Sequence, residues 1–286
     1  MRVGVLGTPA NAANEPLVSA WIEHGVDCGL IGPEDVLADG FDLVVGRVDV
    51  RATLDGVEPG LLALLLAERR GTPIVNRATA LLGTHDKLRT AAILGRTRLP
   101  HPTTGWLRPR EAAVTPPRAP VVLKPRFGSW GRDVRLCRTD REVAAALAEF
   151  ASRPWFRRHG VIAQEPVPTP GFDLRVLVAR GHVVGAIERR SQPGEWRTNV
   201  SVGADELPGH ADAVARKLAL AAAAAVGIDL VGVDLMPQPD GGYVVIELNG
   251  AVDFDPLYLP GRDVYASVAD SLGLGIRRPE ELQPRY

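Results

Sequence analysis

The amino-acid sequence predicts a mixed α/β (α+β) protein in which a parallel sheet precedes antiparallel hairpins. Three observations support this prediction. Short apolar runs alternate with helical patterns over residues 1–80, which is the rhythm of βαβ units. Paired apolar runs flank short polar turns in the later chain, as at Arg180-Gly181. The 286 residues, 45% of them hydrophobic, are enough for roughly two or three subdomains with cores of their own.

The first segment is predicted to form a parallel sheet with helices on its faces. Its predicted strands are 2–6, 41–45 and 73–76, and its predicted helices are 15–24 and 59–70. Glycine follows the last residue of each helical pattern, at Gly25 and Gly71, where a helix commonly stops.

Composition excludes several classes of function. The formal net charge of -1 gives no broad cationic surface for nucleic acid or an anionic membrane, so any anion site must be local. Cys28 and Cys137 are far apart in sequence, which excludes a disulfide framework or zinc ribbon and fits a reducing cytoplasm. The opening apolar run is too short for a signal peptide, and the apolar segment 211–226 contains two basic residues. We therefore expect a cytoplasmic protein without a nucleic-acid or membrane partner.

Residues 77–95 are predicted to form two helices with a break at Gly83-Thr84, where Thr84 or His85 caps the second. Lys87 falls in the first turn of that second helix. A positive charge gains nothing from the helix dipole there. Two interpretations follow: Lys87 meets an anionic ligand, or it is simply solvated.

A strand that ends in lysine opens into a glycine-bearing loop after a proline-marked linker at 100–117. Lys124 closes the strand 121–124, and the loop contains Gly128, Ser129, Gly131 and Arg132. Glycines let backbone N–H groups approach phosphate oxygens, and the serine and arginine add donors. The G-x-x-x-x-G-K-[ST] string occurs nowhere in the chain. The alternative interpretation is an ordinary hairpin turn with a surface lysine.

The predicted strands 134–137 and 161–165 flank a helix that Thr139-x-x-Glu142 opens as a capping box.

An arginine-rich hairpin follows. Asp173 and Arg175 share one face of its first strand, and Arg197 and Asn199 lie in the loop after it. Guanidinium groups bind carboxylate or phosphate in two-point fashion, so these residues predict a local anion site. Solvated surface arginines are the alternative.

The hairpin at 229–250 brings acidic and amide side chains together. Because strand side chains alternate, Val245, Glu247 and Asn249 are predicted to share one face, and Asp234 on the facing strand points away from its apolar neighbours. Two carboxylates and an amide form an oxygen-only site that suits Mg²⁺ carrying phosphate rather than zinc. The alternative is a surface hairpin with solvated charges.

The order of these motifs resembles the ATP-grasp superfamily, in particular its RimK-like carboxylate–amine ligases, among them the LysX type. The resemblance covers residues from about 70 to 260, and the lysine loop 122–132 is especially similar to that of LysX-type ligases. It implies an ATP-grasp fold, in which an N-terminal βαβ domain is followed by two lobes that sandwich ATP. The implied domains are 1–83, 84–165 and 166–286, with the Mg²⁺ and substrate sites in the last.

The resemblance also implies a role for each motif. The metal ligands for Mg²⁺, or Mn²⁺ in its place, would be Asp234, Glu247 and Asn249. The catalytic residues that hold the acyl substrate and the developing phosphate charge would be Arg175, Arg197 and Asn199. The residues that bind ATP would be Lys87, Lys124, the loop residues Gly128, Ser129, Trp130, Gly131 and Arg132, the adenine hinge Gln164, Glu165 and Val167, and Asp173.

The implied reaction is ATP-dependent formation of an amide or peptide bond through an acyl phosphate, in which an amino acid such as glutamate is added to a metabolite, peptide or carrier-protein acceptor. A homo-oligomer is also implied, since such ligases are often dimers or tetramers. The alternatives are an ATP-binding regulatory module and a phosphotransferase without ligase activity. The loop 190–196 and the run 250–255 depart from the family pattern. Asp253 and Asp255 in that run either line the acceptor site or only hold the following loop.

Overall fold

A computed structural model describes residues 1–8, 11–38 and 40–275. The N-terminal part forms a parallel four-stranded sheet of order β2-β1-β3-β4. Its elements are β1 (Arg2–Leu6), α1 (Asn14–Glu23), β2 (Asp27–Ile31), β3 (Leu43–Gly46), α2 (Leu61–Arg69) and β4 (Ile74–Val75). The predicted βαβ rhythm is confirmed, but β2 was not predicted. The sequence of β2, Asp-Cys-Gly-Leu-Ile, is not a continuous apolar run, and its residues are exposed or only partly buried in the structure.

The central part forms an antiparallel four-stranded sheet of order β5-β8-β6-β7. Its elements are α3 (Ala78–His85), α4 (Lys87–Arg96), β5 (Thr104–Leu107), α5 (Pro109–Val114), β6 (Val121–Lys124), β7 (Arg135–Cys137), α6 (Asp140–Phe150), α7 (Pro154–His159) and β8 (Val161–Gln164). The capping box at Thr139 and Glu142 is confirmed.

Two details of the central part differ from the sequence predictions. The segment 100–117 is not a plain linker, because it contains β5 and α5. The second helix is capped neither by Thr84 nor by His85 but by Asp86, whose carboxylate accepts hydrogen bonds from the backbone N–H groups of Leu88 and Arg89. The break between the helices therefore lies directly before Lys87 and fixes the position of that lysine.

The C-terminal part forms an antiparallel five-stranded sheet of order β11-β10-β9-β12-β13. Its elements are β9 (Phe172–Ala179), β10 (His182–Arg190), β11 (Asp205–Pro208), α8 (Ala213–Val226), β12 (Leu230–Pro237), β13 (Tyr243–Asn249) and α9 (Val264–Leu272). The two predicted hairpins are confirmed as β9–β10 and β12–β13. Strand β11 was not predicted, because its residues are mostly exposed and polar.

The N-terminal and C-terminal sheets are joined through one buried amide side chain. Asn76 is fully buried and follows β4. Its Nδ2 donates to the carbonyl oxygens of Leu230 (2.7 Å) and Gly250 (3.0 Å), and its Oδ1 accepts from the N–H groups of Asp229 (3.0 Å) and Leu230 (2.7 Å). All donors and acceptors of this amide are therefore used, and they fix both ends of the β12–β13 hairpin to the N-terminal sheet.

In the described part of the chain, every helix is too short or too polar to cross a membrane. The predicted domain boundaries at 83/84 and 165/166 stay a prediction.

Candidate functional site: a cleft between two sheets next to a second cavity

A cavity of about 130 Å³ lies between the central sheet and the C-terminal sheet. Most of the residues predicted to form the site line it: Lys87, Lys124, Gly128, Ser129, Gly131, Arg132, Gln164, Glu165, Val167, Asp173, Arg197, Asn199, Asp234 and Glu247. Three predicted residues, Trp130, Arg175 and Asn249, lie instead at a neighbouring cavity. Trp130 was predicted among the residues that bind ATP, but it lines the neighbouring cavity and not this one.

Lys87 connects three elements at the entrance of the first cavity. Its ammonium group donates to the carbonyl oxygen of Gly128 (2.5 Å) and to Oε1 of Glu247 (2.6 Å). Its backbone N–H donates to the carbonyl oxygen of Arg126 (3.1 Å). The interpretation of Lys87 as a merely solvated residue is therefore wrong, because this lysine ties α4, the glycine loop and β13 together.

Lys124 ends β6 as a buried cation. Its Nζ donates to Oε1 of Gln164 (2.6 Å), whose Nε2 in turn donates to Oγ1 of Thr104 (2.8 Å). Burial and, to a smaller extent, the charge of Lys87 lower the pKa of Lys124 from 10.5 to about 8, while Glu247 opposes the shift. A buried lysine with a depressed pKa at a cavity is a site for a strongly anionic ligand.

The glycine loop is held from both sides. The guanidinium of Arg126 donates two hydrogen bonds to the carboxylate of Asp86, at 2.8 and 2.6 Å, so the cap of α4 also fixes the start of the loop. Gly131 has a φ of 64°, and a Cβ atom there would come within 2.7 Å of Oδ1 of Asn199. Gly131 is required both for its backbone conformation and for the close approach of Asn199.

A network of arginines and aspartates forms the floor of the cleft. Arg175 donates two hydrogen bonds to Asp234, at 2.6 and 2.8 Å. Arg189 donates to both oxygens of Asp173, at 2.8 and 2.5 Å, and to Oδ2 of Asp234 at 2.8 Å, while Thr198 donates to Asp173 at 2.7 Å. Burial alone would raise the pKa of Asp234, but the two guanidinium groups outweigh it and hold the pKa at about 2.

These pairs change the interpretation of the predicted arginines. The guanidinium of Arg175 is already bonded to Asp234, and that of Arg197 is bonded to Glu195 at 2.7 and 3.0 Å. Neither is an arginine poised alone for a substrate. Arg189, which also lines the cleft, was not among the predicted site residues. One sequence feature could have indicated it: Arg189 stands near the end of the second strand of the predicted hairpin, opposite Asp173 on the first.

A bulge in β13 aims the acidic side chains into the cleft. Asp234 pairs with Glu247, whereas Leu235 pairs with Val245, so one extra residue stands between them on β13. Val245 is therefore buried in the core, and Ile246 and Glu247 both line the cavity. The prediction that Val245 and Glu247 share a face is wrong, because strict alternation does not hold across a bulge.

The donor set fits a hard divalent cation. Asp234 and Glu247 face each other across the hairpin, and Nδ2 of Asn249 lies 3.3 Å from Oδ2 of Asp234. In this structure the carboxylates are held by Arg175, Arg189 and Lys87. The described residues contain no cluster of three or more His, Cys, Asp or Glu side chains with metal-binding geometry. A cation here would therefore draw on two carboxylates, the Asn249 amide and ligand oxygens, as Mg²⁺ with a nucleotide does.

A second cavity of about 380 Å³ adjoins the first. Ser129, Arg189 and Asn199 line both cavities, so these three residues form the junction between them. Asp253 and Asp255, from the run that departs from the family pattern, both line the second cavity.

Fold and site together define an α/β protein in which a cleft lined by lysines, a glycine loop and paired carboxylates adjoins a second cavity. The chain matches the RimK-like ATP-grasp domain over residues 84–271, and it therefore belongs to the RimK-like ATP-grasp carboxylate–amine ligases, a family of ADP-forming enzymes that use ATP and Mg²⁺. Among its relatives, alpha-aminoadipate–LysW ligase LysX of Saccharolobus solfataricus is 31% identical over 68% of this chain and 71% of its own length. A probable alpha-L-glutamate ligase of Aeromonas salmonicida is 28% identical over 84% of this chain and 80% of its own.

Solved structures share the fold. The RimK domain ATP-grasp protein of Sphaerobacter thermophilus superposes with a TM-score of 0.72 at 23% identity and covers 95% of this chain and 99% of its own. The D-cycloserine synthetase DcsG superposes with a TM-score of 0.69 at 20% identity, over 95% and 99% of the two chains. The predicted ATP-grasp fold is confirmed.

Proposed function

We propose that the protein joins a carboxylate to an amine in two steps at the junction of the two cavities. A carboxylate oxygen attacks the γ-phosphorus of ATP, which gives an acyl phosphate and ADP. The amine nitrogen then forms a bond to the acyl carbon, the bond from that carbon to the phosphate oxygen breaks, phosphate leaves, and the nitrogen loses a proton. The observation that best supports a reaction at this junction is that Ser129, Arg189 and Asn199 border both cavities.

The residues of the first cavity would bind the nucleotide. Lys87 and Lys124 would neutralise the phosphates, and the backbone N–H groups of the loop from Gly128 to Arg132 would close over them. Gln164, Glu165 and Val167 lie at the end of β8, where their backbone groups would meet the adenine. Phosphoryl transfer needs positioning and charge neutralisation more than covalent chemistry, and this set of side chains supplies both.

Asp234, Glu247 and Asn249 would hold Mg²⁺, which would supply positive charge to neutralise the phosphates. Lys87, which donates to Glu247 in the ligand-free protein, would donate to phosphate instead once nucleotide and metal are bound. Arg175 and Arg189 orient Asp234 by holding both of its oxygens. Their role is that of positioning residues, and Asn199 at the junction would donate to the acyl phosphate.

The proposed division at 83/84 and 165/166 assigns one sheet to each unit. Glutamate and α-aminoadipate occur in the names of relatives. Both are therefore included among the first amino acids to test, with metabolites, peptides and carrier proteins as acceptors.

The test is ADP release from ATP and Mg²⁺ in a matrix of carboxylates and amines. ADP that forms only when both partners are present supports ligation, whereas ADP formed with a carboxylate alone supports a phosphotransferase. Nucleotide binding without ADP release in any combination supports a regulatory module and refutes the proposal. Glu247→Gln and Lys124→Ala should each abolish ADP release, and Glu23→Gln, an exposed carboxylate on α1, should leave it unchanged.

A further inference from the structure

The second cavity is where the second substrate of the proposed ligation would bind. It is roughly three times larger than the first, at about 380 against about 130 Å³, and opens onto the junction residues Ser129, Arg189 and Asn199. These three residues are shared by the two cavities, so a molecule bound in the second cavity would meet the first beside them. The charge and shape of its walls therefore select the second substrate.

Four carboxylates line the second cavity: Asp49, Glu206, Asp253 and Asp255. They come from separate parts of the chain, namely the segment after β3, strand β11 and the loop after β13. Glu206 makes no hydrogen bond or ion pair within the described residues, so its charge is available to a ligand. One carboxylate oxygen of Asp255 accepts a hydrogen bond from the backbone N–H of Leu257. The other oxygen has no hydrogen-bond partner among the described residues.

The cations at the same cavity do not balance these carboxylates. The guanidinium groups of Arg175 and Arg189 are bonded to Asp234 and Asp173 in one network, as described above, so these two carboxylates already match their charges. Burial lowers the pKa of His85, which also lines the cavity, so its imidazole is neutral at ordinary pH.

A buried arginine behind the wall balances one carboxylate only. Arg47 is 1% exposed, and its Nη2 lies 3.7 Å from Oδ1 of Asp253, beyond hydrogen-bond distance. Nη1 of Arg47 and Oδ1 of Asp253 are both buried and lack a hydrogen-bond partner among the described residues. Buried polar groups are normally bonded, and of these two residues only Asp253 lines the cavity, so its unused acceptor points to a ligand that donates a hydrogen bond.

Aromatic rings complete the walls. Trp130, Phe254, Tyr258 and Tyr265 line the cavity, and the rings of Phe254 and Tyr265 pack at 5.5 Å between centroids. Trp130 is 49% exposed at the tip of the glycine loop. Aromatic faces next to carboxylates attract organic cations and cover their carbon chains.

We propose that the second cavity binds an amine substrate that carries a positive charge away from its reacting nitrogen, such as an aliphatic diamine or the amide of a basic amino acid. The reacting nitrogen points to the junction, the distal ammonium group pairs with Glu206, Asp253 and Asp255, and the carbon chain lies along the aromatic rings. An acidic amino acid such as glutamate is repelled by the same wall. The attack of that nitrogen on the acyl phosphate rests on the proposed function, but the binding preference does not.

Isothermal titration of the full-length protein with saturating Mg²⁺ and ADP measures the preference directly. The ligands are 1,5-diaminopentane, lysinamide and glutamate. Both cationic ligands should bind at least about tenfold more tightly than glutamate, because their ammonium groups form charge-assisted hydrogen bonds with the wall carboxylates and glutamate is repelled by them. Saturating Mg²⁺ ensures that any metal held by the carboxylates is already in place.

Glu206→Gln should weaken lysinamide binding about tenfold or more, since it removes a charge and leaves the shape. Asp255→Asn should act in the same direction. Glu23→Gln is the matched control on the outer end of α1 and should bind like the unaltered protein. Tighter binding of glutamate, the absence of binding by both cationic ligands, or equal binding by the Glu206→Gln variant would each overturn the proposal.

The two proposals fail separately. If ADP release requires glutamate and diamines neither bind nor react, the cationic preference is wrong and ligation stands. If lysinamide binds as expected but no carboxylate with any amine yields ADP, ligation is wrong and the binding preference stands.

Discussion

The depressed pKa of Lys124 predicts that nucleotide binding takes up a proton. Burial, helped by Lys87, sets the pKa in the ligand-free protein at about 8. The phosphates of a bound nucleotide favour the charged form, so the pKa of Lys124 rises in the complex. Affinity is then complete below about pH 8 and falls as the pH rises through that value, because the free lysine must first be protonated.

The magnitude follows from the titration curve. With a pKa of about 8, Lys124 is about 90% protonated at about pH 7 and about 9% at about pH 9, so the affinity for ADP and Mg²⁺ should fall about tenfold, or about 1.4 kcal/mol. At about pH 8.5, binding should take up about three quarters of a proton. Titration calorimetry in two buffers of different ionisation enthalpy measures this uptake.

Two variants control the measurement. Lys124→Arg keeps a charge that does not titrate in this range, so proton uptake should disappear. Lys217→Ala removes an exposed lysine on α8 and should behave like the unaltered protein. Binding that is independent of pH between about 7 and 9, or uptake that persists in Lys124→Arg, would refute the assignment of Lys124 to the phosphates.

Three further predictions concern the fold, the glycine loop and the metal. Asn76→Ala removes four hydrogen bonds and leaves buried backbone groups unpaired, so urea unfolding should show a loss of about 3 kcal/mol; a loss below about 1 kcal/mol would contradict the anchoring role. Gly131→Ala forces a contact with Asn199 and a strained φ, so kcat should fall at least about tenfold while the Tm changes little; normal kcat would contradict it. EDTA should abolish ADP release and added Mg²⁺ restore it, and turnover in EDTA would exclude the metal site.

Most of the cleft was predictable from the sequence because its motifs are local. Lys124 ends a strand and is followed by glycines, and Asp234 and Glu247 stand on two strands joined by a short turn, so each pattern is visible within a few residues. The order of these motifs then identified the family.

The arrangements that depend on long-range packing were not predictable. The bulge that turns both Ile246 and Glu247 into the cleft leaves no mark in the alternation of side chains. The pairing of Arg189 with Asp173 and Asp234 depends on the register of two hairpins. Trp130 was assigned to the nucleotide because of its place in the loop. In the structure it has a positive φ of 63° and lines the second cavity.

A crystal structure with a non-hydrolysable ATP analogue and Mn²⁺ tests the central claim most directly, because the anomalous signal of manganese locates the metal. The β- and γ-phosphates should lie between Lys87 and Lys124, and the metal should lie about 2.2 Å from oxygens of Asp234, Glu247 or Asn249. A metal away from all three residues, or phosphates outside the cavity that Lys124 lines, would contradict the account.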